Sequence, residues 1–362
     1  MTTIDITSAT KKAEELYGAE LRDQLAARCK EVVAEWPPGE TVELTTAGES
    51  GSAGKTTASI AFGGLLAENG LTVEIVDLDG QGNASKHVGI GVSERPDDLL
   101  LDLNSGYPPL PTMGDVLVQR EVYMPGEETK RVVTLDDIRR PAYNPTGIPG
   151  YGVILDPEDP NTEHRAEWLS RLSIYPNGNS YASGERRTFY DDENLLAQDP
   201  YAPLRLNRNF QNVSTQPHVR IFDLHGTKSA TMYSVFLFVE RVLSTVGPED
   251  KTTGADLDNL LMTIDEIAKS GVNDKLRLVM ILVNRLKAEN MRGRIGQMML
   301  ERLYERHGDL VPTGIHVRDA VSVTDAYYNR EPLNLWVEKD KVTDDFRRAL
   351  LWALNTGGIF TP

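Results

Sequence analysis

The run Gly51-Ser52-Ala53-Gly54-Lys55-Thr56-Thr57 places two glycines, a lysine and two threonines where a strand-like segment gives way to a helix-like one. A helix that begins after a tight turn offers unpaired backbone N–H groups and the positive end of its dipole, and both favour a polyphosphate. Gly51 and Gly54 let the backbone approach such a group, Lys55 can reach its β- and γ-phosphates, and the Thr56 hydroxyl is suited to Mg²⁺. The usual spacing of such a loop asks for glycine at position 49, where this chain has Glu49, with Gly48 one place early. A glycine-rich turn that merely caps a helix is the competing reading, and the flanking strand and helix weigh against it. A metal held at a phosphate also needs a carboxylate at the mouth of a sheet. Asp223 ends the apolar run Val219-Arg220-Ile221-Phe222 and fits, a plain capping aspartate being the alternative. Asp77 and Asp79 close another apolar run, and one of them is expected to face the phosphates and orient an attacking water.

Those residues need elements to hold them. Residues 41–46 favour a strand, 55–68 a helix ended by Asn69-Gly70, and 71–79 a mostly apolar strand of the kind central in parallel sheets. Further on, strands are expected at 219–224 and 276–283, a last one at 310–317, and helices at 230–243, 255–269, 291–306, 321–329 and 344–354. This alternation predicts an α/β fold with a doubly wound, mainly parallel sheet. Residues 8–36 read as a helix stopped by Pro37-Pro38-Gly39, so 1–40 forms an N-terminal helical extension to a P-loop domain over 41–362. Between Pro96 and Pro217 lie 14 of the 20 prolines, which marks about 96–217 as a loop-rich insertion of short pieces, with Leu172-Ser173-Ile174-Tyr175 as another strand.

Hydrophobic content of 40% and charged content of 25% are those of an ordinary globular protein. No apolar run approaches the roughly 18 residues needed to span a bilayer, and MTTIDITSATKK lacks the core and cleavage site of a signal peptide, so a cytoplasmic address is expected. Cys29 is the only cysteine, which excludes an intrachain disulfide and a cysteine-rich metal site. A net charge of -16 argues against coating nucleic acid over the whole surface, though not against a local basic patch.

Taken in order, GSAGKTT (51–57), VEIVDLDGQGNAS (73–85), RIFDLHG (220–226), LVNRL (282–286) and TDAYYNREPL (324–333) resemble the motifs of the ParA/MinD family of deviant-Walker ATPases, and its ParA (Soj-like) branch most. The resemblance implies an ATPase for plasmid or chromosome partitioning, a homodimer closed over two ATP molecules and Mg²⁺ and bound non-specifically to DNA over the nucleoid. It also implies release when a ParB-like or other adaptor stimulates an otherwise slow hydrolysis of ATP to ADP and phosphate. By position it implies that Lys55 and Thr56 hold phosphate and Mg²⁺, that Asp79 positions the attacking water near the metal, and that Asp223 is the Walker B aspartate. Asn284 and Arg285 then lie at the adenine.

Two departures stand out. The family's trans-acting lysine belongs at position 50, where this chain has Ser50; Lys228 and Lys251 are candidates to replace it, against the plain reading of solvated surface lysines. Gly80 stands where the family has proline, a change expected only to loosen the turn. Lys287, Arg292, Arg294, Arg302 and Arg306 form the candidate DNA-contacting patch, offset by Glu289, Glu301 and Glu305; a mixed-charge solvated face is the alternative. About 40 residues before the P-loop strand are too few for an operator-binding helix-turn-helix domain. The segment Phe346–Trp352 has the ingredients of a membrane-surface helix, but core packing is favoured and membrane binding is not expected. Positioning of another cargo, or a nucleotide-switched binding module with weak hydrolysis, are the alternatives.

Overall fold

The computed structural model describes residues 17–48, 53–91, 111–124, 127–147, 149–179, 187–226, 228–247, 254–287, 294–356 and 359–362. Ser50, Gly51, Ser52, Lys251 and Arg292 lie outside the described residues, and of Arg294 only the backbone is described.

The described strands are β1 (Val42–Ala47), β2 (Val73–Leu78), β3 (Glu121–Tyr123), β4 (Lys130–Val132), β5 (Arg140–Pro141), β6 (Leu172–Tyr175), β7 (Val219–Leu224), β8 (Arg241–Val246) and β9 (Arg277–Val283). Seven of them form one sheet in the order β5-β6-β2-β7-β1-β8-β9, parallel except at the β5 edge. Its central strands β2 and β7 are buried along their whole length, which is why they read as apolar runs rather than alternating ones. The register sets Asp223 beside Thr46 of β1 on one side and Asp77 of β2 on the other, all at the carboxyl ends of the strands. Ligands of open α/β sheets lie at that edge.

Helices cover both faces. α1 (Gly18–Ala34) buries Leu21, Leu25, Cys29 and Val32, a helical stripe, and α2 (Lys55–Glu68) is buried along nearly its whole length. A Cβ at Gly63 would lie 2.9 Å from Ile75 Cδ1, so the glycine lets α2 settle close on β2. Next come α3 (Asn83–His87), α4 (Met113–Leu117), α5 (Leu135–Ile138), α6 (Thr162–Leu169), α7 (Phe189–Gln198) and α8 (Ala202–Gln211). The chain ends with α9 (Ala230–Phe236), α10 (Ala255–Lys269), α11 (Arg294–His307), α12 (Val321–Asn329), α13 (Leu333–Trp336) and α14 (Lys341–Thr356).

Helix α14 is packed, not amphipathic at a surface. Phe346 meets Phe62 of α2 with ring centroids 5.9 Å apart, Gly18 N donates to Asp344 at 3.0 Å, and Arg348 lies over the Tyr17 ring. No described helix is long and apolar enough to cross a membrane. The proline-rich segment supplies short helices and a hairpin whose buried side chains, among them Met113, Phe189, Leu206 and Phe210, join Val76 and Phe222 of the sheet in one core.

Two expectations fail. The helix expected over 230–243 ends at Phe236, and Arg241–Val246 is instead the sheet strand β8. The apolar run continues across both with no Gly or Pro between them, so periodicity has nothing with which to divide it. Residues 310–317 form no strand: Pro312 and Gly314, the latter at φ +69°, break the run. Only single backbone bonds remain there, such as Val317 N to Val283 O at 2.9 Å.

Candidate functional site

At the carboxyl edge of β1, β7 and β2 lies a cleft of about 650 Å³. It brings together Gly54, Lys55, Thr56 and Thr57 at the start of α2, Asp79 and Gln81 after β2, His225 after β7, and Asn284 and Arg285 after β9. Gly54 adopts φ +81°, the left-handed conformation that turns the chain into α2. Asn284 is buried and donates from Nδ2 to Ala53 O at 3.1 Å, so the turn after β9 braces the phosphate loop directly.

The Lys55 ammonium is buried, and burial lowers its pKa against the pull of Asp223, Asp79 and Asp256. Asp223 is fully buried; its Oδ1 accepts from Thr46 Oγ1 at 3.1 Å and Ser59 Oγ at 3.0 Å. Burial pushes its carboxyl up to about 6, against the neighbouring Thr56 and Ser59 hydroxyls. Its Oδ2 is buried without a hydrogen-bond partner. An unpartnered carboxylate oxygen beside a threonine hydroxyl fits a hard cation such as Mg²⁺. Among the described residues no group of three or more His, Cys, Asp or Glu could hold a metal, so such an ion would draw its remaining ligands from phosphate and water.

The two aspartates at the end of β2, Asp77 within it and Asp79 just beyond, differ sharply. Asp79 lines the cleft. Asp77 is sealed beneath it, where Oδ2 accepts from Ser85 N at 2.9 Å and Ser85 Oγ at 2.7 Å, and Oδ1 accepts from Asp79 N at 3.1 Å. Burial and the charge of Asp223 push its carboxyl up to about 8. Asp77 therefore shapes the turn that presents Asp79.

The other expected residues are dispersed. Lys228 is exposed just beyond β7 and is not among the residues lining the cleft. Lys287, Arg302 and Arg306 are exposed, but Arg306 pairs with Asp258 of α10 at 3.0 Å, which drains the basic patch. Gly80 does more than loosen a turn. A Cβ there would lie 3.2 Å from Phe189 Cβ and 3.4 Å from Tyr190 Cε2, so the glycine admits helix α7 of the proline-rich segment against the site. Motif reading misses Tyr190, His225, Thr46 and Ser59, and it took Gly80 only as a loosened turn rather than as room for Tyr190.

A family model described as the CobQ/CobB/MinD/ParA nucleotide binding domain matches residues 44–333. No curated protein matches the sequence. Among solved structures the fold is similar to apo McdA of Cyanothece, at 14% identity and TM-score 0.59 over 85% of this chain and 97% of that one. It is similar to the septum site-determining protein MinD of Pyrococcus horikoshii OT3 complexed with Mg-ADP, at 15% identity and TM-score 0.54 over 86% and 95%. It is also similar to a putative plasmid partition protein of Borrelia burgdorferi B31 bound to AMPPNP, at 13% identity and TM-score 0.52 over 82% and 96%. At these identities the structural likeness is one of fold. The family match runs from β1 into α13 and takes in the whole cleft, so the chain belongs to the CobQ/CobB/MinD/ParA family of nucleotide-binding P-loop proteins.

Proposed function

We propose that the protein is a ParA/MinD-like ATPase that hydrolyses ATP to ADP and phosphate and uses the nucleotide state to position a cargo. The observation that carries this reading is that Lys55, Thr56 and Asp79 line one cleft, with the half-partnered Asp223 buried beside Thr56 at the end of the central strand β7. Gly51–Thr57 and the N-terminus of α2 bind the phosphates, Thr56 and Asp223 hold Mg²⁺ with Asp79 nearby, and Asn284 and Arg285 flank the base. When bound, Mg²⁺ neutralises charge on the phosphates. Asp79 orients the water that attacks the γ-phosphorus as the bond to the bridging oxygen breaks and ADP leaves with the electron pair.

Mg²⁺-dependent phosphate release with purified protein tests the reading. Lys55→Ala is expected to abolish nucleotide binding, and Asp79→Ala to keep binding while losing turnover by about two powers of ten or more. Turnover that survives in Asp79→Ala overturns the hydrolytic assignment.

Positioning, dimerisation over ATP, non-specific DNA binding and an adaptor partner are taken from the family resemblance. The McdA, MinD and plasmid partition likenesses support a positioning role without choosing the cargo. Ser50 supports a second reading, a nucleotide-switched binding module with little turnover. Lys228 or Lys251 from the second copy would restore the missing charge. Unchanged turnover in both Lys228→Ala and Lys251→Ala removes that rescue.

A further inference from the structure

Among the described residues of the proline-rich segment, Tyr190 bonds to two residues that line the cleft. Tyr190, in the first turn of α7, accepts through Oη from Gln81 Nε2 at 3.3 Å, and the same Oη lies 3.4 Å from His225 Nε2. The Tyr190 and His225 rings meet edge-on at 5.9 Å and 89°. Gln81 follows β2, His225 follows β7, and both line the cleft. One phenol therefore ties together the two strand-end turns that follow Asp79 and Asp223.

The tie has a rigid base. Thr188 and Asp191 close a capping box at the start of α7. Asp192, buried, pairs with Arg120, which also pairs with Asp115 of α4. Phe189 is buried, and the absence of a Cβ at Gly80 lets the first turn of α7 sit on the β2 turn. The Tyr190 ring is itself exposed, so its hydroxyl is placed by the helical turn that carries it and by its contacts to Gln81 and His225.

The direction of a bound nucleotide follows from the sheet order. Asn284 and Arg285 follow β9, at the opposite side of β1 from β7 and β2. With the base at that end and the phosphates over Lys55, the terminal phosphate points toward Gln81 and His225. The Tyr190 hydroxyl, which accepts from Gln81, meets His225 Nε2 as donor or acceptor according to the imidazole tautomer. Gln81 keeps a second amide hydrogen. On that orientation the terminal phosphate of a triphosphate is the part of the nucleotide nearest the Gln81 amide, and a diphosphate lacks it.

We propose that Tyr190 is a positioning residue that makes the cleft discriminate nucleoside triphosphate from diphosphate, by holding Gln81 and His225 toward the terminal phosphate. The proposal rests on the ATP reading above.

The test is calorimetric binding of Mg-AMPPNP and Mg-ADP to the wild type, Tyr190→Phe, Gln81→Ala and the double variant. Tyr190→Phe keeps the ring on Gly80 and removes only the hydroxyl. It is expected to weaken AMPPNP about ten-fold, the weight of one hydrogen bond to a charged ligand, and to leave ADP within about two-fold. The double variant is expected to lose less than the product of the two single losses, because part of the Tyr190 effect passes through Gln81. Equal losses for both nucleotides, as from a merely structural role, or no loss for AMPPNP, overturn the assignment. A wild type that binds neither nucleotide overturns the ATP reading as well, and that result differs from one in which the wild type binds both and Tyr190→Phe matches it.

Discussion

Gly54 meets two constraints at once. Its φ of +81° is left-handed, and a Cβ would collide with Nδ2 of Asn284, the group that braces the Ala53 carbonyl. Gly54→Ala is expected to cost about 1–2 kcal/mol from the backbone alone, with a larger fall in nucleotide affinity as Asn284 is displaced; urea unfolding and nucleotide titration read the two effects separately. His87 gives a pH signature. Burial lowers its pKa to about 4, and its ring packs on Tyr327 at 4.8 Å. A folded pKa below the unfolded value of about 6.5 means the unfolded chain takes up the proton first, so stability is lost as pH falls from about 6.5 to 4. That loss is expected to reach about 2 kcal/mol at pH 5 relative to pH 7. Asp77 and Asp223 work in the opposite direction, because their raised pKa values favour the fold as pH falls. The clean measurement is therefore the difference in pH dependence between the wild type and His87→Phe, which keeps an aromatic ring beside Tyr327. At this scale the positions of Lys55, Thr56 and Asp223 and of the pair Asp77 and Asp79 were legible, because each sits at a strand or helix end, while the choice of Asp79 over Asp77 came from the family resemblance. The partners Thr46, Ser59 and Tyr190 were not. Their contacts join segments distant in sequence and leave no local pattern.

The sheet shows how charges can sit in central strands. Register places Glu43 of β1 and Glu74 of β2 on either side of Arg220 of β7. Arg220 donates to Glu43 at 2.6 Å and to Glu74 at 2.9 Å, while its guanidinium lies over the Phe210 ring at 4.5 Å. Glu74 also accepts from Arg139 at 2.8 Å and from Thr215 at 2.6 Å, so the proline-rich segment is fastened to the sheet through the same carboxylate. Removing one member of a buried ionic network leaves the others uncompensated. Arg220→Ala is expected to destabilise by about 3–5 kcal/mol, read as a lower urea midpoint with an unchanged slope. These charges explain a limit of pattern reading. The strands were legible through their apolar neighbours, but nothing in one strand announces its partner's charge. The same limit hid β8, whose place between β1 and β9 is fixed by pairing rather than by its own composition. Helix α2, by contrast, was legible to its last residue, because glycine and Asn69-Gly70 bound it in sequence as they do in space.

On the scale of the whole molecule the decisive quantity is charge. A net charge of -16 repels a polyanion, so any DNA binding must come from a patch strong enough to offset that field locally. The described side chains offer Lys287, Arg302 and Arg306, and Asp258 already claims the last. Phosphate contacts of this kind lose affinity with salt by about 0.9 log units per log unit of salt for each phosphate neutralised. In Mg-ATP, binding to a labelled duplex is therefore expected to show a shallow slope, about -2 to -3 per subunit. Lys287→Ala should weaken every sequence alike, and Asp258→Asn, which frees Arg306, should tighten binding and steepen the slope by about one. A slope near -8, or indifference to both substitutions, would place the contact surface elsewhere. Binding absent in ATP at low salt would leave a nucleotide switch whose cargo is not DNA, and the acidic surface would then suit a basic partner rather than resist a polyanion.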